Sequence, residues 1–332
     1  MAFREQLLKS WHQPNLLTLL LWPLSLLYRI LFSLRNAAYK LGLKKSYRAP
    51  VPVIVVGNIT VGGTGKTPMV LYLVELLRQQ GFNPGVISRG YSGTSESYPL
   101  TVLASTPVAD CGDEPALIVK RSNVPMVVGS ERAASIKKLL NEFEVDVIIS
   151  DDGLQHLAMQ RDIEICLQDL TKNSRNNCLL PAGPYREPQS RLQTVDMIVQ
   201  HIPESGLDVS PQAYAMSLVA GQPTSLIKND DLQWSAAEKV HAVAGIGNPH
   251  RFFNTCRSLG LDIIEHAFAD HHHFKAADIE FDDALPVLMT EKDAVKCVDF
   301  ADQQHWYLPV NAKLAASFNE SLLKLLKTKM RN

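Results

Sequence analysis

The sequence predicts an α/β protein: a parallel sheet sandwiched by helices, a second and smaller α/β unit after it, and an apolar helix ahead of both. Three observations support this. Short apolar runs alternate with helix-patterned segments from Val53 to Val199, the alternation resumes at Val240 after a polar interval, and Leu16 to Leu34 is almost continuously apolar. With 332 residues, 46% hydrophobic and 20% charged, the chain can bury more than one core and is not a disordered polymer.

Within the N-terminal segment, residues 1–48, the run Leu16–Leu34 is about long enough to span hydrocarbon, although Pro23, Ser25 and Arg29 interrupt it. Arg4 and Lys9 precede that run, and Arg29, Arg35, Lys40, Lys44, Lys45 and Arg48 lie within or after it. Trp11, Trp22, Tyr28 and Tyr39 are placed to sit at an interface. Cations on both flanks describe a helix lying in, or dipping into, a leaflet of anionic lipid. Two other readings fit the same letters: a secretory signal, and a hydrophobic helix buried in the fold.

Next, Val53-Ile54-Val55-Val56 empties into Gly57-Asn58-Ile59-Thr60-Val61-Gly62-Gly63-Thr64-Gly65-Lys66-Thr67-Pro68, and a helical pattern follows over Met69–Leu77. A strand, a glycine-rich turn ending in Gly-Lys-Thr and a helix form a nucleoside-triphosphate cradle, a P-loop. Gly62, Gly63, Thr64 and Gly65 let successive amides converge on phosphate oxygens. Lys66 neutralises the β/γ charge, Thr67 ligates Mg²⁺, and the helix N-terminus turns its dipole toward the anion. The general pattern has glycine where this chain has Thr60, and Gly62 and Gly63 partly compensate. An exported protein would meet no nucleotide, so this loop opposes the secretory reading. ATP is the expected nucleotide, because a guanine reader of the Asn-Lys-x-Asp type is missing: Thr290-Glu291-Lys292-Asp293 has its lysine one place late.

Strand-like runs at Gly85–Ser88, Pro125–Val128, Val145–Ser150, Ile163–Leu167 and Met197–Val199 alternate with helical patterns at Thr67–Gln80, Glu114–Arg121 and Ser130–Phe143. The polar stretch from Ile202 to about Gln212 sets a boundary between a nucleotide-binding unit, 49–208, and a smaller α/β unit, 209–332. The second contains Val240–Ala244, Pro249–Leu259, Pro286–Met289, Trp306–Pro309 and an amphipathic helix over Leu314–Lys329, with Phe318, Leu322 and Leu326 on its apolar side. A net charge of −1 gives no bias toward nucleic acid, and no protein partner is suggested. The five cysteines are scattered, without Cys-x-x-Cys pairing, so neither disulfides nor zinc are expected and a reducing cytoplasm fits.

Chemistry concentrates in four places. Val145–Ser150 ends in Asp151-Asp152, the position from which a carboxylate pair holds Mg²⁺ or its waters beside a phosphate loop; such acids also serve as turn and capping residues. Leu154-Gln155-His156 follows with donors for substrate or phosphate. Gly112-Asp113-Glu114-Pro115 opens a helix, where its acids either cap it or take a proton from an acceptor hydroxyl. Asp270-His271-His272-His273 offers imidazoles that point in different directions, so one metal held by all three is not expected; one of them beside a carboxylate would make a proton-transfer pair. Arg132 and Arg186 offer guanidinium groups suited to bidentate phosphate contact or to plain ion pairing.

Taken in order, Gly57–Pro68, Ser88-Arg89-Gly90-Tyr91, Gly112–Pro115, Asp151–His156, Gly183-Pro184-Tyr185-Arg186-Glu187 and Thr290–Asp293 closely resemble the tetraacyldisaccharide 4'-kinases of lipid A synthesis. The resemblance covers nearly the whole chain, apolar helix included. It implies transfer of the ATP γ-phosphate to the 4'-hydroxyl of a tetraacylated glucosamine disaccharide 1-phosphate, at the cytoplasmic face of the inner membrane. It implies too that Lys66 and Thr67 bind phosphate and Mg²⁺, that Asp151, Asp152 and Glu114 hold the metal or its waters, and that Asp113 with His271 accepts the proton. Gln155, His156, Arg132, Arg186 and Glu187 become substrate or phosphate contacts, while Thr290–Asp293 receives no role. The rival function is a membrane-associated P-loop ATPase switch, but its signature lysine position is Val61 here.

Overall fold

The computed structural model describes residues 2–171, 175–202, 209–227 and 237–330. The side chain of Arg4 and the 203–208 part of the polar stretch lie outside the described residues.

The chain opens with α1 (Ala2–His12) and α2 (Leu16–Lys40). Asn15 caps α2: its side chain accepts from the amides of Leu17 and Thr18, and Thr18 Oγ1 accepts from the Asn15 amide. Pro23, Ser25 and Arg29, which interrupt the apolar run, lie inside one helix that continues for 25 residues. Pro23 forgoes one ladder bond, and Ser25 turns inward to donate to the carbonyls of Leu179 and Leu180. The reading of a buried core helix fails, because only Thr18 and Ser25 of α2 are buried while Leu16, Leu20 and Leu31 are 72%, 67% and 58% exposed. Among the described residues, α2 alone is long and apolar enough to cross a membrane.

The first sheet is laid down by β1 (Val53–Gly57), α3 (Lys66–Gln79), β2 (Pro84–Ser88), β3 (Leu100–Thr101), α4 (Val108–Cys111), α5 (Asp113–Ser122), β4 (Met126–Val128), α6 (Arg132–Glu142), β5 (Val147–Asp151), β6 (Ile163–Asp169), β7 (Met197–His201) and β8 (Ala213–Ala220). A smaller sheet follows: β9 (Thr224–Ser225), β10 (Lys239–Ala244), α7 (Pro249–Ser258), β11 (Asp262–Ala267), β12 (Val287–Thr290), α8 (Glu291–Cys297) and β13 (His305–Leu308). The chain then returns through β14 (Val310–Leu314) and ends in α9 (Ala316–Met330).

Among the described residues, nine strands form the large sheet in the order β14-β8-β7-β6-β1-β5-β2-β4-β3, parallel from β8 to β4 with antiparallel edges. Strands such as β1 and β5 are buried along their whole length, as β-branched runs in a parallel sheet covered on both faces must be. Alternate residues of β1 serve the two faces. Ile54 and Val56 meet Val70 and Leu73 of α3 and Ile118 of α5, whereas Val53 and Val55 share a cluster with Ile136 and Leu139 of α6. β1 lies between β5 and β6, so the strand order reverses there and opens a crevice at the C-terminal strand ends. Five strands, β11-β10-β12-β13-β9, make the second sheet, covered by α7 on one side and α8 on the other.

The boundary expected at residue 208 is displaced. β8 pairs with β7, β14 pairs with β8, and Phe318, Leu322 and Leu326 of α9 pack into the large sheet's core beside Val199 and Met216. The five-stranded sheet therefore occupies only residues 224–308. The apolar stripe of α9 needed a sheet face to cover, and the antiparallel β8–β14 ribbon delivers it to the first.

Candidate active site

The phosphate loop is fixed by backbone conformations that glycine tolerates. Gly62 and Gly65 stand at φ 100° and 86°, and a Cβ on Gly65 would come 2.9 Å from Met216 Cε. Asn58 organises the turn by donating to the Thr60 carbonyl at 2.7 Å and accepting from Lys66 Nζ at 3.1 Å. Lys66 begins α3, and its ammonium also lies 3.5 Å from Asp152. Inside the loop, Thr64 Oγ1 is buried with no hydrogen-bond partner among the described residues.

The two acids at the end of β5 live in different surroundings. Asp151 is buried and accepts from Ser88 Oγ at 3.2 Å, while its Oδ1 has no partner among the described residues. Burial, together with the charges of Glu114 and Asp152, pushes its carboxyl well above the ordinary range. At Asp152 burial works in the same direction, but Lys66 and Arg186 outweigh it and hold the group below its usual pKa. Arg186 Nη1 reaches both Asp152 oxygens at 3.1 Å. A buried carboxylate oxygen without a partner, in negative company and beside the phosphate loop, suits a cation. Mg²⁺ binds through one or two carboxylates plus phosphate and water, which a single free oxygen beside the loop can serve.

Facing this cluster is a pair drawn from both sheets. Asp113 opens α5 after Gly112, whose φ of 90° and 2.3 Å Cβ approach to the Tyr91 carbonyl exclude other residues. Its Oδ2 lies 2.9 Å from His271 Nδ1, in the loop after β11. The Asp113 contact raises the His271 pKa above its ordinary value; at Asp113, burial is outweighed by the His271 bond and the Lys292 charge, so its pKa is lowered. His271 holds a left-handed φ of 59°, and the Tyr91 ring lies 5.1 Å from the imidazole. His272 instead bonds Asp278 at 3.0 Å, and His273 is exposed. The geometry thus separates three consecutive histidines and puts the first against the acid.

The family model described as Tetraacyldisaccharide-1-P 4'-kinase matches residues 17–327. The chain belongs to this family. The tetraacyldisaccharide 4'-kinase of Pseudomonas aeruginosa is 46% identical over 325 residues, covering 96% of each chain. That of Shewanella loihica is 51% identical over 317 residues, covering 94% of this chain and 92% of the relative. A crystal structure described as the "apo" form of LpxK from Aquifex aeolicus in complex with ATP superposes with a TM-score of 0.77 at 27% identity, covering 93% of this chain and 99% of the other.

Of the contacts that membership in the tetraacyldisaccharide 4'-kinases leads one to seek, three lie at the crevice. Arg186 faces Asp152; Gln155 donates to the Asn58 carbonyl at 3.1 Å and to Glu187 at 2.7 Å; and His156 is held neutral, with burial and the Arg132 charge lowering its pKa to about 4. Arg132 and Glu187 are placed differently from the expectation of direct contact. Arg132 is buried, donating to the carbonyls of Gly129 at 2.9 Å and Asp151 at 3.1 Å, so it braces the end of β5. Glu187 is buried between Gln155 and Arg191: its Oε1 accepts from that glutamine, and its Oε2 pairs with Arg191 at 3.2 Å.

The Thr290–Asp293 motif acquires a structural account. Thr290 caps α8, Glu291 pairs with Arg121 of α5 at 2.9 Å, Lys292 Nζ lies 3.0 Å from Glu114 and 3.8 Å from Asp113, and Asp293 accepts from the Gly245 amide at 2.8 Å. One short helix of the second sheet thereby holds both ends of α5, the acidic start through Lys292 and the basic last turn through Glu291. Lys292 and Tyr91 are the neighbours of the Asp113–His271 pair to which sequence reading gave no role; both lie in motifs visible in the chain, but their partners are far away in sequence.

Proposed function

We propose that this kinase transfers the γ-phosphate of ATP to the 4'-hydroxyl of a tetraacylated glucosamine disaccharide 1-phosphate, in a crevice shared by its two sheets, at the cytoplasmic face of the inner membrane. ATP and Mg²⁺ are its cofactors: bound together, they supply the phosphoryl group and the metal charge that offsets its transfer. Amides of Gly62 to Gly65 and the Lys66 ammonium hold the phosphates. Thr67 and Asp151, with Asp152 and Glu114 beside them, hold Mg²⁺ or its waters. Asp113 orients His271 through Nδ1 and stabilises the charge it gains, leaving the other ring nitrogen to accept the proton of the acceptor hydroxyl. Arg186, Gln155 and His156 face the acceptor, and Arg132 and Glu187 keep those groups in place.

α2 supplies the location. Its exposed leucines contribute roughly 25 cal/mol for each Å² they bury in lipid, and each flanking Lys or Arg adds about 1 kcal/mol near anionic headgroups. Trp11 and Tyr28, expected at the interface, are instead committed to the protein, donating at 2.8 Å to the carbonyls of Pro181 and Arg186.

The observation that carries this reading is the 2.9 Å contact between Asp113 and His271, which sets a proton acceptor from one sheet against the acidic rim of the nucleotide crevice on the other. Incubation with γ-labelled ATP and the disaccharide tests it: label is expected on the 4'-oxygen of the lipid. Release of inorganic phosphate at the same rate with and without the disaccharide would favour an ATPase switch instead.

A further inference from the structure

α2 does more than present leucines to lipid. Ser25, Tyr28, Phe32 and Arg35 recur at helical spacing on one stripe, and three of them bond to main-chain carbonyls of the body. Ser25 donates to Leu179 and Leu180 and accepts from the Ala182 amide at 3.3 Å, clasping the segment that leads to Arg186. Tyr28 Oη donates to the carbonyl of Arg186 itself at 2.8 Å, and Arg35 Nη2 donates to the carbonyl of Gln155 at 3.2 Å.

These two carbonyls belong to residues whose side chains face the crevice. The Arg186 guanidinium reaches both oxygens of Asp152, which lies 3.5 Å from Lys66 of the phosphate loop. The Gln155 amide reaches the Asn58 carbonyl at the base of that loop. A polar group on α2 is therefore one residue removed from groups that contact the phosphate-binding turn. Holding α2 against the body does not require those particular carbonyls; Ser25 accomplishes it at 179 and 180, with Trp11 of α1 bonded next door at 181.

We propose that Tyr28, seconded by Arg35, is a positioning residue for the acceptor side of the site: the membrane-facing helix fixes the main chain of Arg186 and Gln155, and with it the reach of their side chains toward the lipid disaccharide. This rests on the kinase reading above. Tyr28 bonds the main chain of Arg186, which the kinase reading places against the acceptor and which reaches the nucleotide side only through Asp152, so its effect on the acceptor should exceed the one passed on to ATP.

The test uses the full chain in vesicles containing anionic lipid and the disaccharide, comparing Tyr28→Phe and Arg35→Met with the parent. For Tyr28→Phe, kcat/KM for the disaccharide should fall about three- to tenfold, the range of one neutral hydrogen bond, with the KM for ATP within about twofold and flotation with vesicles unchanged. Arg35→Met, whose bond is exposed and which also removes a flanking cation, should show the same selectivity for the acceptor at about two- to threefold per vesicle-bound enzyme, and serves alone if Tyr28→Phe fails to fold. Unchanged acceptor kinetics in both variants would overturn the inference. So would activity that falls only in step with lost flotation, or losses shared equally by ATP and acceptor alongside a lower melting temperature. A parent that fails to phosphorylate the disaccharide defeats the kinase reading, and this inference with it; an active parent matched by both variants defeats only the inference.

Discussion

The proposed nucleotide side and the proposed proton-accepting side of the site are assembled in contrasting ways. Gly62 to Thr67, Asp151 and Asp152 all come from one sheet, and the loop itself is one contiguous stretch held by left-handed glycines. The opposite side needs Asp113 from α5 and His271 from beyond β11, brought together across two sheets by Lys292–Glu114, Arg121–Glu291 and Arg251–Asp169 ion pairs. A side set by backbone conformation is complete as soon as its own sheet folds. One set by ion pairs exists only when the two units are docked, and polar interfaces of that kind permit relative movement.

The contrast can be broken most forcefully on the nucleotide side. Lys66→Ala should lower phosphoryl transfer by at least about a hundred- to thousandfold in a steady-state assay, with the protein still folded, because it removes charge from the crevice without opening a core cavity. Asp113→Asn and His271→Asn should each cost about a hundredfold or more in kcat while ATP still binds in equilibrium dialysis, since they touch only the second side.

What was legible in the chain follows the same division. The loop and the Asp151–Asp152 pair could be read directly because strand, turn and acid are neighbours in sequence. His271 could be singled out from His272 and His273 only through family resemblance; its partner is on α5, and nothing local encodes that meeting. Chemical type was readable at Arg132 and Glu187, but not their burial, which depends on what packs over them. β8, β14 and α9 fall within the range read as the smaller unit, 209–332, for a related reason: pairing between Ser217 and Lys313 leaves no periodic trace in either segment. Pro23 and Ser25 read as breaks in an apolar run, because the carbonyls that receive Ser25 lie at Leu179 and Leu180.

Smaller effects sharpen the comparison. Asp169 ties β6 to α7 by accepting from Arg251 Nη2 at 2.9 Å, and the bonds from His201, Thr171 and Arg251 overcome its burial to hold its pKa low. A depressed carboxylate stabilises the fold above its unfolded pKa of about 3.9 and loses that contribution as pH falls through the folded value. Asp169→Asn should therefore melt lower than the parent near pH 7, with the gap closing in thermal melts taken at progressively more acidic pH. The least effect on chemistry belongs to the exterior: replacing Leu20, Leu27 and Leu31 with serine should reduce flotation with anionic vesicles and leave the KM for ATP unchanged, because these side chains are exposed and contact neither side of the crevice.

The central claim is that Asp113 and His271 act as one unit across the two sheets, and a double-mutant cycle in single-turnover transfer from γ-labelled ATP to the disaccharide tests it most directly. Asp113→Asn with His271→Asn should be no slower than the slower single variant, because either change alone disables the pair. Losses that multiply, each variant keeping its full effect in the presence of the other, would show two independent groups and contradict the account.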